Sequence, residues 1–145
     1  MPLVWGGLVP MAMAQNFTGS LQVEIVGLRD RTGDVCINLF DRADGFPHDR
    51  EKARVRQCLP LAEQSEDAPI VVTFADLPVG SYAVSLFHDR NQDGVLNRGE
   101  LGIPSEGFGF SNNAPVRTGP PKFGNAMVIV AGATPITVQV RYSLQ

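Results

Sequence analysis

A chain of 145 residues, 43% hydrophobic and 19% charged, is long enough to bury one core and too apolar to be disordered. Its formal net charge of -3 gives no electrostatic reason to expect nucleic acid as a partner. The 15 glycines and 11 prolines exceed the usual share, which argues against long helices and for short strands joined by turns.

The chain begins with an apolar run, Leu3 to Met13, ending in Ala12-Met13-Ala14 before Gln15. That small-residue pattern is a leader-cleavage signature, and the run is too short to span a bilayer as a helix. No Lys or Arg precedes it, as in a shortened leader. Residues 1–14 are therefore expected to be a signal peptide and residues 15–145 one exported domain, periplasmic or secreted, with no transmembrane span in the mature chain.

Ser20 to Leu28 alternates apolar and polar residues, with Leu21, Val23 and Ile25 on one side, which predicts a half-buried strand. Val35 to Phe40 is almost continuously apolar and predicts a central strand. A polar loop containing Gly45 and Pro47 follows. Ala53 to Leu61 predicts a third strand at a sheet edge, because Pro60 cannot donate to a ladder. Arg50, Lys52, Arg54 and Arg56 alternate, which would line one face of such a strand with solvated charge.

Cys36 and Cys58 lie in two of these strands, and an exported chain with two cysteines predicts a bridge between them. Such a bridge contributes about 3 kcal/mol on the chain-entropy model. No Cys-x-x-Cys and no Cys/His cluster points to zinc or redox chemistry.

Ile70 to Leu77 predicts the fourth strand, and Ser81 to Asp89 the fifth, with Tyr82, Val84 and Leu86 on one face. From Arg90 to Lys122 the chain loses periodicity, and a loop of that length in a compact domain is functional or anchored. Phe123 to Ala131 and Ile136 to Tyr142 predict strands six and seven. The expected fold is all-β: an antiparallel seven-stranded β-sandwich with one long loop between strands five and six.

That loop opens with an oxygen-donor pattern. With Asp89 at position one, Asn91 takes position three, Asp93 five, Gly94 six, Val95 seven, Asn97 nine and Glu100 twelve. This satisfies the calcium-loop template: alternate donors converge as the chain curls, Gly94 permits the bend, Val95 offers its carbonyl, and Glu100 offers two oxygens. Ca²⁺ suits an all-protein cage better than Mg²⁺ does. Arg90 and Arg98 partly offset the acidic charge, so affinity is expected at about 10⁻⁵ to 10⁻³ M, the range of a structural extracellular site. A metal-free turn held by hydrogen bonds from Asp89, Asn91 and Asp93 accounts for the same residues.

Other chemistry is sparse. His48-Asp49 and His88-Asp89 are neighbours in sequence, and on a strand neighbours face opposite ways, so neither makes a ready dyad. Ser111 lacks a nucleophile-elbow context. Phe108, Phe110, Asn112 and Asn113, with His88, form a speculative ligand surface. The aromatics serve equally well as a plug fastening the loop to the domain.

The segment from Leu77 to Ala126 resembles a bacterial family of small exported proteins, domain of unknown function 2141. The shared features are the turn Leu77-Pro78, Gly80 and Tyr82, and the run His88-Asp89, Asn91, Asp93-Gly94 and Leu96. They continue with Gly102, Pro104, Glu106-Gly107 and Gly109 to Asn113, then Gly119-Pro120-Pro121, Phe123 and Ala126. The resemblance implies a transthyretin-like or prealbumin-like sandwich and export, and implies no particular activity. The family often lacks an acidic residue where this chain has Glu100. The combined expectation is a non-catalytic envelope or binding module with a structural Ca²⁺. Its partner would be an unidentified extracellular ligand: glycan, peptide or small molecule. The alternative is a transthyretin-like carrier of a small molecule or peptide without metal, and a hydrolase is a more distant one.

Overall fold

The computed structural model describes residues 17–95 and 106–143. Residues 1–14, expected to be a leader, lie outside these, as do Asn97 and Glu100 of the acidic loop. Among the described residues no helix is long and apolar enough to cross a membrane.

The described residues form eight strands: β1 (Thr18–Val26), β2 (Asp34–Phe40), β3 (Val55–Pro60), β4 (Ile70–Pro78), β5 (Gly80–Asp89), β6 (Phe108–Phe110), β7 (Val128–Val130) and β8 (Ala133–Gln139). One sheet runs β4-β1-β8. The other runs β3-β2-β5, and the far edge of β5 is shared between β7 at its start and β6 at its end.

The protein is all-β, but three expectations need correction. The strand count is eight rather than seven, because Phe108–Phe110 adds a short strand inside the supposedly irregular loop. Three residues are too few to show alternation. The chain from Phe123 does not start a strand: Phe123–Ala126 makes one helical turn, α1, before β7. Asn125 closes that turn, donating its amide to the Lys122 carbonyl at 2.9 Å. The third correction is that β1 pairs with β8 in parallel, so the sheets are not wholly antiparallel.

The core forms where the alternating residues meet. Leu21, Val23 and Ile25 of β1 with Ile70, Val72 and Phe74 of β4 join Val35, Ile37 and Leu39 of β2 and Tyr82, Val84 and Leu86 of β5 in one buried cluster. At about 25 cal/mol per Å² of apolar surface removed from water, this cluster is the main stabilising contribution.

A second cluster covers the opposite face of β2 and β5. There Cys36, Ala83 and Phe87 pack under Phe108, Phe110, Ala114 and Ala126, with Phe46, Val116 and Phe123 at the margin. Phe46 is its hinge, meeting Phe40, Phe110 and Phe123 edge-on at centroid distances of 5.3, 6.3 and 6.0 Å. Double burial explains why β2 reads as an almost continuous apolar run.

Cys36 and Cys58 face each other in the β2–β3 ladder and form a disulfide. β3 is an edge strand, in keeping with Pro60. The four alternating basic residues do not share a strand face. Arg50 and Lys52 lie in a 3-10 turn whose entry is capped by Asp49. Lys52, Arg54 and Arg56 pair with Asp44, Asp41 and Glu51 at 3.0, 3.3 and 3.1 Å.

Candidate functional site

The acidic loop leaves the end of β5, where strand alternation separates two neighbours. His88 turns inward and is fully buried, while Asp89, 1% exposed, turns toward the outer face beside Cys36.

Asp89 organises the loop. One carboxylate oxygen accepts from the amide of Asp93 at 3.2 Å and the other from the amide of Gly94 at 2.7 Å. Asn91 Oδ1 also accepts from Asp93 N at 3.3 Å, and Asp93 Oδ1 accepts from Val95 N at 3.0 Å. Gly94 takes a positive φ of 76°, the conformation the bend needs and glycine tolerates. Gln92 ties the loop to the start of β2 through Asp34 at 2.8 Å.

Glu106 completes the arrangement from the far side of the loop. It is buried, and its Oε2 accepts from Arg90 N at 2.9 Å. One oxygen each from Asp89, Asp93 and Glu106 lies within 4.8 Å of the others. Burial pushes the Asp89 carboxyl above the usual range, and the Asp93 charge adds to this, while the Gly94 and Asp93 amides oppose it.

Of the residues expected to ligate a metal, Asp89, Asn91, Asp93 and Val95 are thus gathered in one turn. Glu106 was not legible from spacing, because it matches no position of the twelve-residue template. Hard oxygen donors of this kind fit Ca²⁺. Each carboxylate oxygen that accepts an amide keeps a second lone pair, so the turn geometry and ion binding are compatible.

His88 has a different task. Its Nε2 lies 2.6 Å from the Thr32 carbonyl, so Nε2–H donates there. Nδ1 then accepts from the Tyr142 hydroxyl at 2.7 Å, which itself accepts from Arg29 N at 2.9 Å. Arg29 also stacks over the Tyr142 ring at 4.2 Å. His88 therefore fastens the turn after β1 to the segment that follows β8. Its side chain does not reach into the long loop; only its backbone amide does, donating to Gly107 O at 2.8 Å.

The segment Phe108 to Asn113 acts as a staple. Both phenylalanines are buried in the second cluster. A Cβ on Gly109 would come within 2.8 Å of Val138 Cγ1, and one on Gly107 within 2.5 Å of the Tyr142 ring. The alternating glycines therefore let β6 lie close against β8 and the residues after it. Ser111 Oγ accepts from Val84 N at 2.9 Å and donates to the Ala126 carbonyl. Asn112 and Asn113 take left-handed φ values of 60° and 46°. Asn112 donates to Met127 O at 2.7 Å, and Asn113 accepts from Gln139 N at 2.9 Å.

Residues 23–138 match the model of a family described as uncharacterized protein conserved in bacteria, DUF2141. The chain belongs to this family. The matched span takes in the acidic turn, the glycine-aromatic staple, and Phe123 with Ala126 of the second cluster. No curated protein and no solved structure shows significant similarity to the chain.

Proposed function

We propose that this family member is an exported, non-catalytic envelope or binding module, a transthyretin-like sandwich whose acidic loop takes one structural Ca²⁺. The observation that carries this reading is the approach of Asp89, Asp93 and Glu106 to within 4.8 Å, with Asp89 and Glu106 buried. Like charges this close repel one another, the more so for the buried pair Asp89 and Glu106, and a cation reverses the sign of that interaction. The ion would fasten the two ends of the acidic segment to each other. Asn97 and Glu100 remain proposed donors from the sequence template. Export is supported by the disulfide and by the Ala12-Met13-Ala14 pattern.

The non-catalytic reading is supported by the engagement of both His88 ring nitrogens and of the Ser111 hydroxyl in structural hydrogen bonds. The alternative, a small-molecule carrier without metal, is favoured by a pocket on the outer face of β2 and β5.

Calorimetric calcium titration of the mature chain tests the first reading. Saturable binding in the range of about 10⁻⁵ to 10⁻³ M is expected, with a melting temperature that falls on chelation. Glu106→Gln should weaken binding about tenfold or more. If excess calcium gives no heat and leaves the melting curve unchanged, the metal reading fails.

A further inference from the structure

The pocket on the outer face of the five-stranded sheet has a volume of about 160 Å³. It is lined by Asn38 of β2, Ser85 and Phe87 of β5, Arg50 of the 3-10 turn and Phe108 of β6. A second hollow of about 280 Å³ extends toward Cys36 and Cys58 and shares Asn38, Arg50 and Phe87 with the first.

Two polar groups distinguish this place. Asn38 is only 7% exposed, yet its carboxamide has no hydrogen-bond partner among the described residues. That carboxamide borders both hollows, so its donors and acceptor are available to a molecule placed there. Arg50 is the second. Its basic neighbours Lys52, Arg54 and Arg56 each meet a carboxylate. Arg50 meets none among the described residues and donates only to the Gly94 carbonyl. A guanidinium carries five N–H donors, so most of them are open to a ligand. Asp89, on the same sheet face, keeps its oxygens turned to the amides of Asp93 and Gly94.

We propose that the pocket binds a small organic carboxylate bearing one apolar ring, its anionic head between Arg50 and Asn38 and its ring against Phe87 and Phe108. The size fits: an apolar cavity of about 150 Å³ accommodates benzene. Charge-assisted, forked donation is what a guanidinium offers a carboxylate. This names a ligand class for the carrier alternative. Asn38, Phe87 and Phe108 lie outside the acidic turn, whereas Arg50 touches it through the Gly94 carbonyl, so binding is measured both with and without calcium.

Benzoate is the probe, with benzamide as its neutral counterpart. Amide and side-chain NMR signals of the mature chain are followed during titration, once with calcium and once with chelator. Benzoate should saturate in at least one condition and shift the Asn38 carboxamide and Ser85 signals. Benzamide should bind about tenfold more weakly or worse, and Arg50→Gln should weaken benzoate to a similar degree. Asn38→Leu should also weaken it; if that variant fails to fold, Arg50→Gln in the turn decides alone. The proposal is overturned if benzoate moves no signals in either condition, or if Arg50→Gln leaves its affinity unchanged. Benzamide binding as tightly as benzoate overturns it too, while leaving a neutral-ligand carrier in play.

Discussion

Along β4 exposure alternates from Ile70 to Phe74, whereas every residue of β5 from Tyr82 to Asp89 is buried. The two sheets contribute to the same core, but only one is covered on its other side. The three-stranded sheet turns Glu24, Val71, Thr73 and Thr137 toward solvent on its other face. The five-stranded sheet carries the second cluster, the disulfide, the staple and the acidic loop. The candidate site therefore sits where a strand is buried twice, because covering a second sheet face requires a long segment tied down by polar contacts.

Removing the cover should have the largest effect. Phe110→Ala opens the second cluster at its centre and should destabilise by about 3–5 kcal/mol. Thr73→Ala on the bare face should stay within about 0.5 kcal/mol. Urea unfolding of both variants checks the contrast, and equal effects would mean that the second cluster is ornamental. Reducing the Cys36–Cys58 bridge, which closes a separation of 22 residues, should lower stability by about 3 kcal/mol. Thermal melts with and without reductant, beside a Cys36→Ser/Cys58→Ser double variant, measure it.

The smallest effect concerns the turn that His88 anchors. The Thr32 amide holds the Asp30 carboxyl below the usual carboxylate range against opposing desolvation, with Arg90 and His88 assisting. A carboxylate lowered in the folded state contributes stability that is present above its unfolded value and lost as pH falls through the folded one. Asp30→Asn should therefore lower the neutral plateau slightly and flatten the profile below about pH 4, with stability at the acid end nearly unchanged. An acid limb of unaltered slope would show that the contact carries no linkage.

What could be read from the sequence follows the same division. β1 and β4 were legible because one wet face imposes alternation, and β2 because burial on both faces erases it. The cysteine pairing followed from there being two cysteines in a chain expected to be exported. The second cluster was harder. β6 has three residues, too few for a period, and Phe123–Ala126 turns helical through a contact between Lys122 and Asn125 that no hydropathy pattern encodes. Asn112 and Asn113 entered the speculative ligand surface as amides beside aromatics, and Ser111 was weighed only as a nucleophile. The bonds of these three residues run to main-chain groups of β5, β8 and the α1–β7 stretch, partners that only the folded chain defines. Glu106 joined Asp89 for the same reason: proximity across a long loop leaves no mark in local spacing.

The parallel pairing of β1 with β8 has a consequence in time. Among the described strands β1 is the first and β8 the last, and Ser20 to Val26 align with Ala133 to Gln139. During synthesis, and during threading across a membrane if the chain is exported, β1 can pair with β4 but must wait for β8. The side of β1 that faces β8 stays open until nearly the whole chain has arrived. Final closure of the three-stranded sheet is thus set by the last strand to emerge, which helps such a chain remain threadable until late.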